Sequence, residues 1–329
     1  MAIGTKSNVK IYDPRTQGGY RERVAQTTEM FNAASRGCIT LSSATKAGEF
    51  DIEAFFAKNA GSSVARRDPT AVTAVADQLI GQDEFAAVKL NRRIGPFALT
   101  LDSMRKAGFD VSNEGAAAFA LGEWAAMDAM QDRLNIALAA IRASIAGEAT
   151  LTHDISALTA GAQYLQADAF INAVQKMGDA SSNIIAWVTH SAPVTKLLSG
   201  QVTGNVTGVA SVVMQDGTPA TLGRPLLVTD SASLVSGSDY FVLGLTAGAV
   251  EVEDTEEEII ISELALGLEN IVNRMQGEYA FNLKVKGAAW DTTAGANPTD
   301  GAVGTSANWL KKVNSVKNMG GVLIKCKAV

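Results

Sequence analysis

Between Ser112 and Ala146 the apolar positions return at steps of four and three: Ala120, Trp124, Met127, then Gln131 in the same series, Leu134, Leu138, Ile141 and Ile145. That spacing lines them up on one face of a helix. Glu123, Asp128, Asp132, Asn135 and Arg142 fall off the seam. The stretch has no proline and is built mostly from Ala, Leu, Met, Glu, Gln and Arg, which favour helix. Ser112 or Asn113 can cap its start by accepting an orphan N–H, and Gly147 can end it in the left-handed conformation. A spine helix over 113–146 is about 50 Å long at 1.5 Å per residue. A globule of this chain length is itself about 50 Å across. One rod should therefore cross the whole molecule, packed through Trp124, Met127, Leu134, Leu138, Ile141 and Ile145.

The pattern on either side is less regular. Residues 1–36 are polar, with Lys6, Lys10, Arg15, Arg21, Arg23 and Arg36 against Asp13, Glu22 and Glu29. They carry too little apolar surface to fold alone and read as an arm. From 37 to 93, GCITLSS and EFAAVKLNRR have strand character. Between them lie a short apolar helix candidate, Ile52 to Lys58, the loop NAGSSVARRDP and the run AVTAVADQLI. This suits a long projecting hairpin, and exposed strand edges usually have a partner. TLDSMRKAG predicts a short helix ahead of the spine, and THDISALTAGAQYL a polar connection after it. AFINAVQKMG is an amphipathic helix closed by Gly178. NIIAWVTH is a buried strand, and Ser191 caps the helix that follows, with Pro193 in its first turn. LGRPLLVTD and DYFVLGL add strands to this α/β unit, and AGAVEVEDTEEEIIIS alternates around an acidic turn. In GEYAFNLKVKGAAW, Tyr279, Phe281, Leu283 and Val285 share one face of a strand, with Asn282, Lys284 and Lys286 on the other. NWLKKVNSV is a short helix or turn, and GGVLIKCKAV a closing strand.

Composition narrows the function. The chain is 47% hydrophobic with a net charge of −6, which suits a large core and argues against a dedicated nucleic-acid binder. No run is apolar and long enough to span a membrane. Cys38 and Cys326 are the only cysteines, so no disulfide framework is implied. With two histidines, His153 and His190, a three-histidine zinc site is ruled out. No phosphate-binding glycine loop occurs in the right context. The acidic run lacks the spacing of a calcium loop. No catalytic residue, cofactor or metal site is expected. The acids Glu251, Glu253, Glu256 and Glu257, and the basic tail with Lys311, Lys312 and Lys317, are candidate charge contacts between subunits.

The order of these segments, with the phrases VKLNRRIGPFALTLDSMRKAG, AWVTHSAPVTKLL, LGRPLLVTD, FNLKVKGAAWD and NWLKKVNSVKNMGGVLIK, resembles the major capsid proteins of tailed bacteriophages over nearly the whole chain. The resemblance implies an α+β, Hong Kong 97-type fold. Its parts would be an N-terminal arm (1–36), an extended loop (37–93), a peripheral domain with the spine helix (94–167), an axial domain (168–255) and return strands completing the peripheral domain (256–329). It implies a structural protein of the virion capsid, made and assembled in the bacterial host cytoplasm. Hexamers and pentamers would close an icosahedral shell around double-stranded DNA, with each extended loop lying across a neighbour. Its implied partners are further copies of itself, a scaffolding protein, a portal and a decoration protein, with non-specific contact to packaged DNA. An encapsulin-like nanocompartment shell and a soluble oligomeric enzyme are the competing readings.

Overall fold

The computed structural model describes residues 20–21, 23–24, 35–43, 48–57, 64, 66–75, 77, 81–106, 114–159, 161–204, 221–256, 258–266 and 269–328. In chain order the first half contains β1 (Ile39–Ser43), β2 (Phe50–Ala57), β3 (Gly81–Thr100), α1 (Leu101–Lys106), α2 (Glu114–Ala146), β4 (Thr152–Asp154), α3 (Ala167–Gln175), β5 (Ile184–Thr189) and α4 (Ser191–Gly204). There follow β6 (Leu226–Val228), β7 (Val235–Ser236), β8 (Asp239–Thr246), β9 (Val250–Asp254), β10 (Ile259–Ala265), β11 (Val272–Val285), β12 (Ala288–Trp290), α5 (Asp300–Val303), β13 (Trp309–Lys311) and β14 (Gly321–Lys327).

The long strand β11 organises the first sheet. One of its edges takes β3, and the other takes β10 and then β9. Tyr279, Phe281, Leu283 and Val285 are buried as the alternation predicts, but Asn282 on the opposite face is only 2% exposed. Both faces are covered over this part of the strand, so the expected polar face is not a solvent face. The acidic stretch after β9 is not a hairpin turn. β9 and β10 run in succession antiparallel to the same strand, and the Thr255 N–H bonds to the Ala280 carbonyl between them. Pairing with β11 satisfies the backbone where the chain would otherwise have reversed.

The second sheet has the order β4-β14-β8-β5-β6, with β7 on β8. Two expected divisions change here. The closing strand β14 pairs with β8 of the axial region and with β4, which lies in the supposed polar connection. β1, assigned to the loop, pairs in parallel with β9. Partners so far apart in sequence leave no local trace. At the β14–β8 contact, a Cβ added at Gly321 would lie 2.0 Å from the Gly244 carbonyl oxygen. The oxygen belongs to the backbone and the Cβ position is fixed by it, so no rotamer relieves the clash. Gly321→Ala should cost about 3 kcal/mol, read from urea unfolding. An unchanged midpoint would show that the strands separate freely.

The spine helix α2 touches β9 and β11 of the first sheet and β14 of the second. From residue 136 to 145 every position but Arg142 is buried. Nearer its start the buried positions are Gly122, Ala125, Ala126, Ala129, Met130 and Arg133. This corrects the predicted seam. Leu138, Ile141 and Ile145 are core residues and Leu134 packs at its margin, but Trp124 is 64% and Met127 52% exposed. In its first half the helix turns Ala125, Ala126 and Ala129 inward because a small side chain lets it approach the sheet closely, and Trp124 and Met127 are left outside. Ser112 and Asn113 lie outside the described residues. Gly147 follows the last turn, its N–H bonded to Ala143, without the predicted left-handed backbone.

Three smaller expectations also change. Ile52 lies in strand β2, not in a helix, because β2 pairs along β3 as a two-stranded ribbon; Lys58 lies outside the described residues. The 308–316 stretch is not one helix: it holds the end of a helical turn at Ser306–Asn308, the three-residue strand β13 and the start of a second helical turn at Val316. The first turn of α4 is capped not by Ser191 but from outside it. His190 Nδ1 accepts the Ala192 N–H at 3.2 Å, and Asp230 accepts that of Ser191 at 3.4 Å.

Candidate functional site

The ribbon of β2 and β3 carries an exposed far end. Val64, Val72 and Val75 are 82%, 101% and 89% exposed, beside the exposed Arg66 and Arg67. Val72 and Val75 bury almost none of their apolar surface in their own subunit. A second uncovered surface lies on α2, where Trp124, Met127, Asp128 and Gln131 fall on one face and all four are exposed. Scattered apolar residues on a surface are ordinary, but a stripe of large ones on a helix marks a contact. Next to it a groove of about 360 Å³ runs between α2 and β1, with Met127, Leu134, Ile39 and Leu41 among its walls.

The charges expected to bridge subunits are engaged inside this one. Lys311 pairs with Glu148 at 3.2 Å and Lys312 with Asp83 at 2.6 Å. Lys317 pairs with Asp179, and Lys89 with Glu256. Glu253 lies 3.5 Å from Lys284, and Glu251 accepts from the Ser42 hydroxyl at 3.3 Å. Glu257 lies outside the described residues. Hydrogen bonds from Lys312 and Lys317 hold the Asp83 and Asp179 carboxyls below their ordinary range. Strand pairing brings these partners together across as many as 229 positions, which a reading by local charge runs does not see.

The strongest electrostatic feature was not predicted. Arg133 on α2 is fully buried; its Nε donates to Asp254 at 2.9 Å and its Nη2 to Glu258. The guanidinium lies 4.6 Å from the centre of the Tyr279 ring, close enough for a cation–π contact. Tyr20, from the arm, is 0% exposed and donates its hydroxyl to the same Glu258 oxygen at 3.0 Å. Burial pushes the Asp254 and Glu258 carboxyls upward, against the pull of Arg133. Burial also opposes the charge on Arg133, but Tyr20, Asp254 and Glu258 outweigh it and hold the guanidinium ionised. One sequence signal was present: Arg133 stands four residues from Ala129 and from Ala137, on the alanine face.

Among the described residues no group of side chains assembles a reaction centre. His190 caps a helix and packs edge-on against Tyr240. His153 lies in β4 opposite Ile324, its pKa lowered by burial. Burial pushes the Cys38 and Cys326 thiols up to about 12, so neither is a nucleophile at neutral pH. Among the described residues no cluster of three or more His, Cys, Asp or Glu could hold a metal, and no helix is long and apolar enough to cross a membrane.

The family model Gp13-like, described as "Major capsid protein 13-like", matches residues 8–323. No curated protein matches the sequence. Among solved structures, the cyanophage Pam1 capsid asymmetric unit is similar at 12% identity, with a TM-score of 0.53 and 88% of each chain covered. The capsid of Ralstonia phage GP4 is similar at 10% identity, with a TM-score of 0.52, over 89% of this chain and 87% of that one. A chain of Microbacterium phage Oxtober96 is similar at 12% identity, with a TM-score of 0.51, over 77% and 84%. At these identities the likeness concerns the fold, and it agrees with an α+β subunit of the Hong Kong 97 type.

Proposed function

This chain belongs to the Gp13-like family of major capsid proteins, and from that membership we propose how its copies build a shell. It is a phage coat protein, structural and not enzymatic, and it acts by self-association. A nanocompartment shell is not favoured. In our reading, copies join as hexamers and pentamers into an icosahedral particle around double-stranded DNA. Assembly takes place in the host cytoplasm, with a scaffolding protein and a portal, and a decoration protein could bind the finished shell.

One observation carries the reading of the contact. The same subunit leaves two apolar surfaces uncovered, the ribbon end with Val72 and Val75 and the α2 face with Trp124 and Met127. Neither is needed for the fold. In the assembly, the ribbon end of one copy lies on the α2 face of the next. Arg66 and Arg67 would then approach Asp128, and the valines would cover the tryptophan. Burying such a stripe contributes about 25 cal/mol per Å².

Met127→Arg tests this contact. The substitution is on the surface, so stability should change by less than about 0.5 kcal/mol. It places a cation opposite Arg66 and Arg67, and the particle yield by electron microscopy should fall at least about tenfold. Normal particles from this variant would sink the proposed contact. Small oligomers alone from the unmodified chain, under every assembly condition, would sink the shell reading itself.

A further inference from the structure

We propose that the cluster around Arg133 is a latch in which Tyr20 seats the described part of the N-terminal arm on the subunit body. The parts of the socket all belong to the body. Arg133 comes from α2, Asp254 ends β9, Glu258 immediately precedes β10, and Tyr279 lies in β11. Asp254 and Tyr279 fix the guanidinium, and the guanidinium fixes Glu258. Tyr279 is itself tethered by a 2.9 Å hydrogen bond from its hydroxyl to Asp132, which Arg92 holds at 3.1 Å. Tyr20 is a member supplied from outside this framework.

The seat is selective because it is polar. A buried arginine with two carboxylates costs much desolvation, and apolar residues of the same volume often stabilise as well. What the charges add is a requirement on the occupant. A buried phenol must place its O–H on an acceptor, and Glu258 offers one at a fixed point. Phenylalanine would fill the slot but leave that oxygen one donor short. A smaller residue would leave a cavity. Tyr20 therefore sets the register at which the arm leaves the body. Its neighbour Arg21 is exposed, and Val24 packs at the margin of the core. Among the described arm residues, Tyr20 is the one whose ring is fully buried in the body, and its hydroxyl fixes where that ring sits.

Trypsin supplies the test, because Arg21 and Arg23 flank the latch. On the purified full-length chain, cleavage after these two residues is measured relative to cleavage after Arg93 in β3. Tyr20→Ala should raise the relative rate about a hundredfold and Tyr20→Phe at least about tenfold, while Asp102→Asn, exposed on α1 and paired with Lys106, leaves it unchanged. An unaltered rate in Tyr20→Ala overturns the latch. A fast Tyr20→Ala with a wild-type Tyr20→Phe overturns the role of the hydroxyl and leaves an apolar plug. A rise of equal size at Arg93 also overturns it, since the opening would then be global.

Discussion

Leu138→Asp should yield no folded subunit. Leu138 is 0% exposed in the middle of the stretch of α2 that is buried nearly all round. An aspartate there finds no partner, so it either stays charged at great cost or takes up a proton and still lacks hydrogen bonds. The loss of apolar packing adds to this. Together they amount to about 5 kcal/mol or more, and a whole domain is stable by only about 5–15 kcal/mol. The volume-conserving Leu138→Met should cost less than about 1.5 kcal/mol. The comparison is made by soluble yield and a thermal melt. A soluble Leu138→Asp chain with a cooperative, wild-type transition would mean that α2 is not the packed spine.

Arg133→Ala should be the most damaging change at a charged position, at about 3–5 kcal/mol near neutral pH. It removes the cation from between Asp254 and Glu258 and leaves both carboxylates buried. Burial already pushes both carboxyls upward, and without Arg133 they rise further. A group whose folded pKa is raised stabilises the fold while protonated, and that contribution is lost as pH rises through the folded value. The deficit of the variant should therefore be large at neutral pH and shrink as pH falls toward the ordinary carboxylate range, about 4. Urea unfolding of variant and wild type at pH 7.5 and at pH 5 measures this directly. A deficit that stays constant or grows on acidification would show that the carboxylates are not the penalised groups. Adding Asp254→Asn and Glu258→Gln should recover most of the loss at pH 7.5.

The extent of the spine and most strands were legible because they depend on periodicity within a dozen residues, whereas the ribbon strand β2 reads locally as a helix and is a strand only through its pairing with β3. The orientation of the spine helix was not legible. Trp124 and Met127 are large apolar residues in its first half, and their spacing from Leu134 and Leu138 turns them inward on a reading by period alone. The sheet instead accepts Ala125, Ala126 and Ala129, whose small side chains permit close approach. Arg133 was overlooked for a related reason, since a lone arginine in a helix is normally a surface residue.

The sequence by itself determined that one long helix crosses the chain's core, that strands flank it, that no multi-histidine metal site or phosphate loop is present, and which family pattern the segments follow. These follow from local spacing and from residue types that are present or missing. Only the tertiary structure decided which strands pair, that β14 closes the second sheet and not the first, that the tail lysines are engaged within the subunit, and that Tyr20 meets Arg133. Most of those join residues that are far apart in the chain. Their pairing is set by which surfaces remain to be buried once the local elements have formed, and no window of sequence contains that competition.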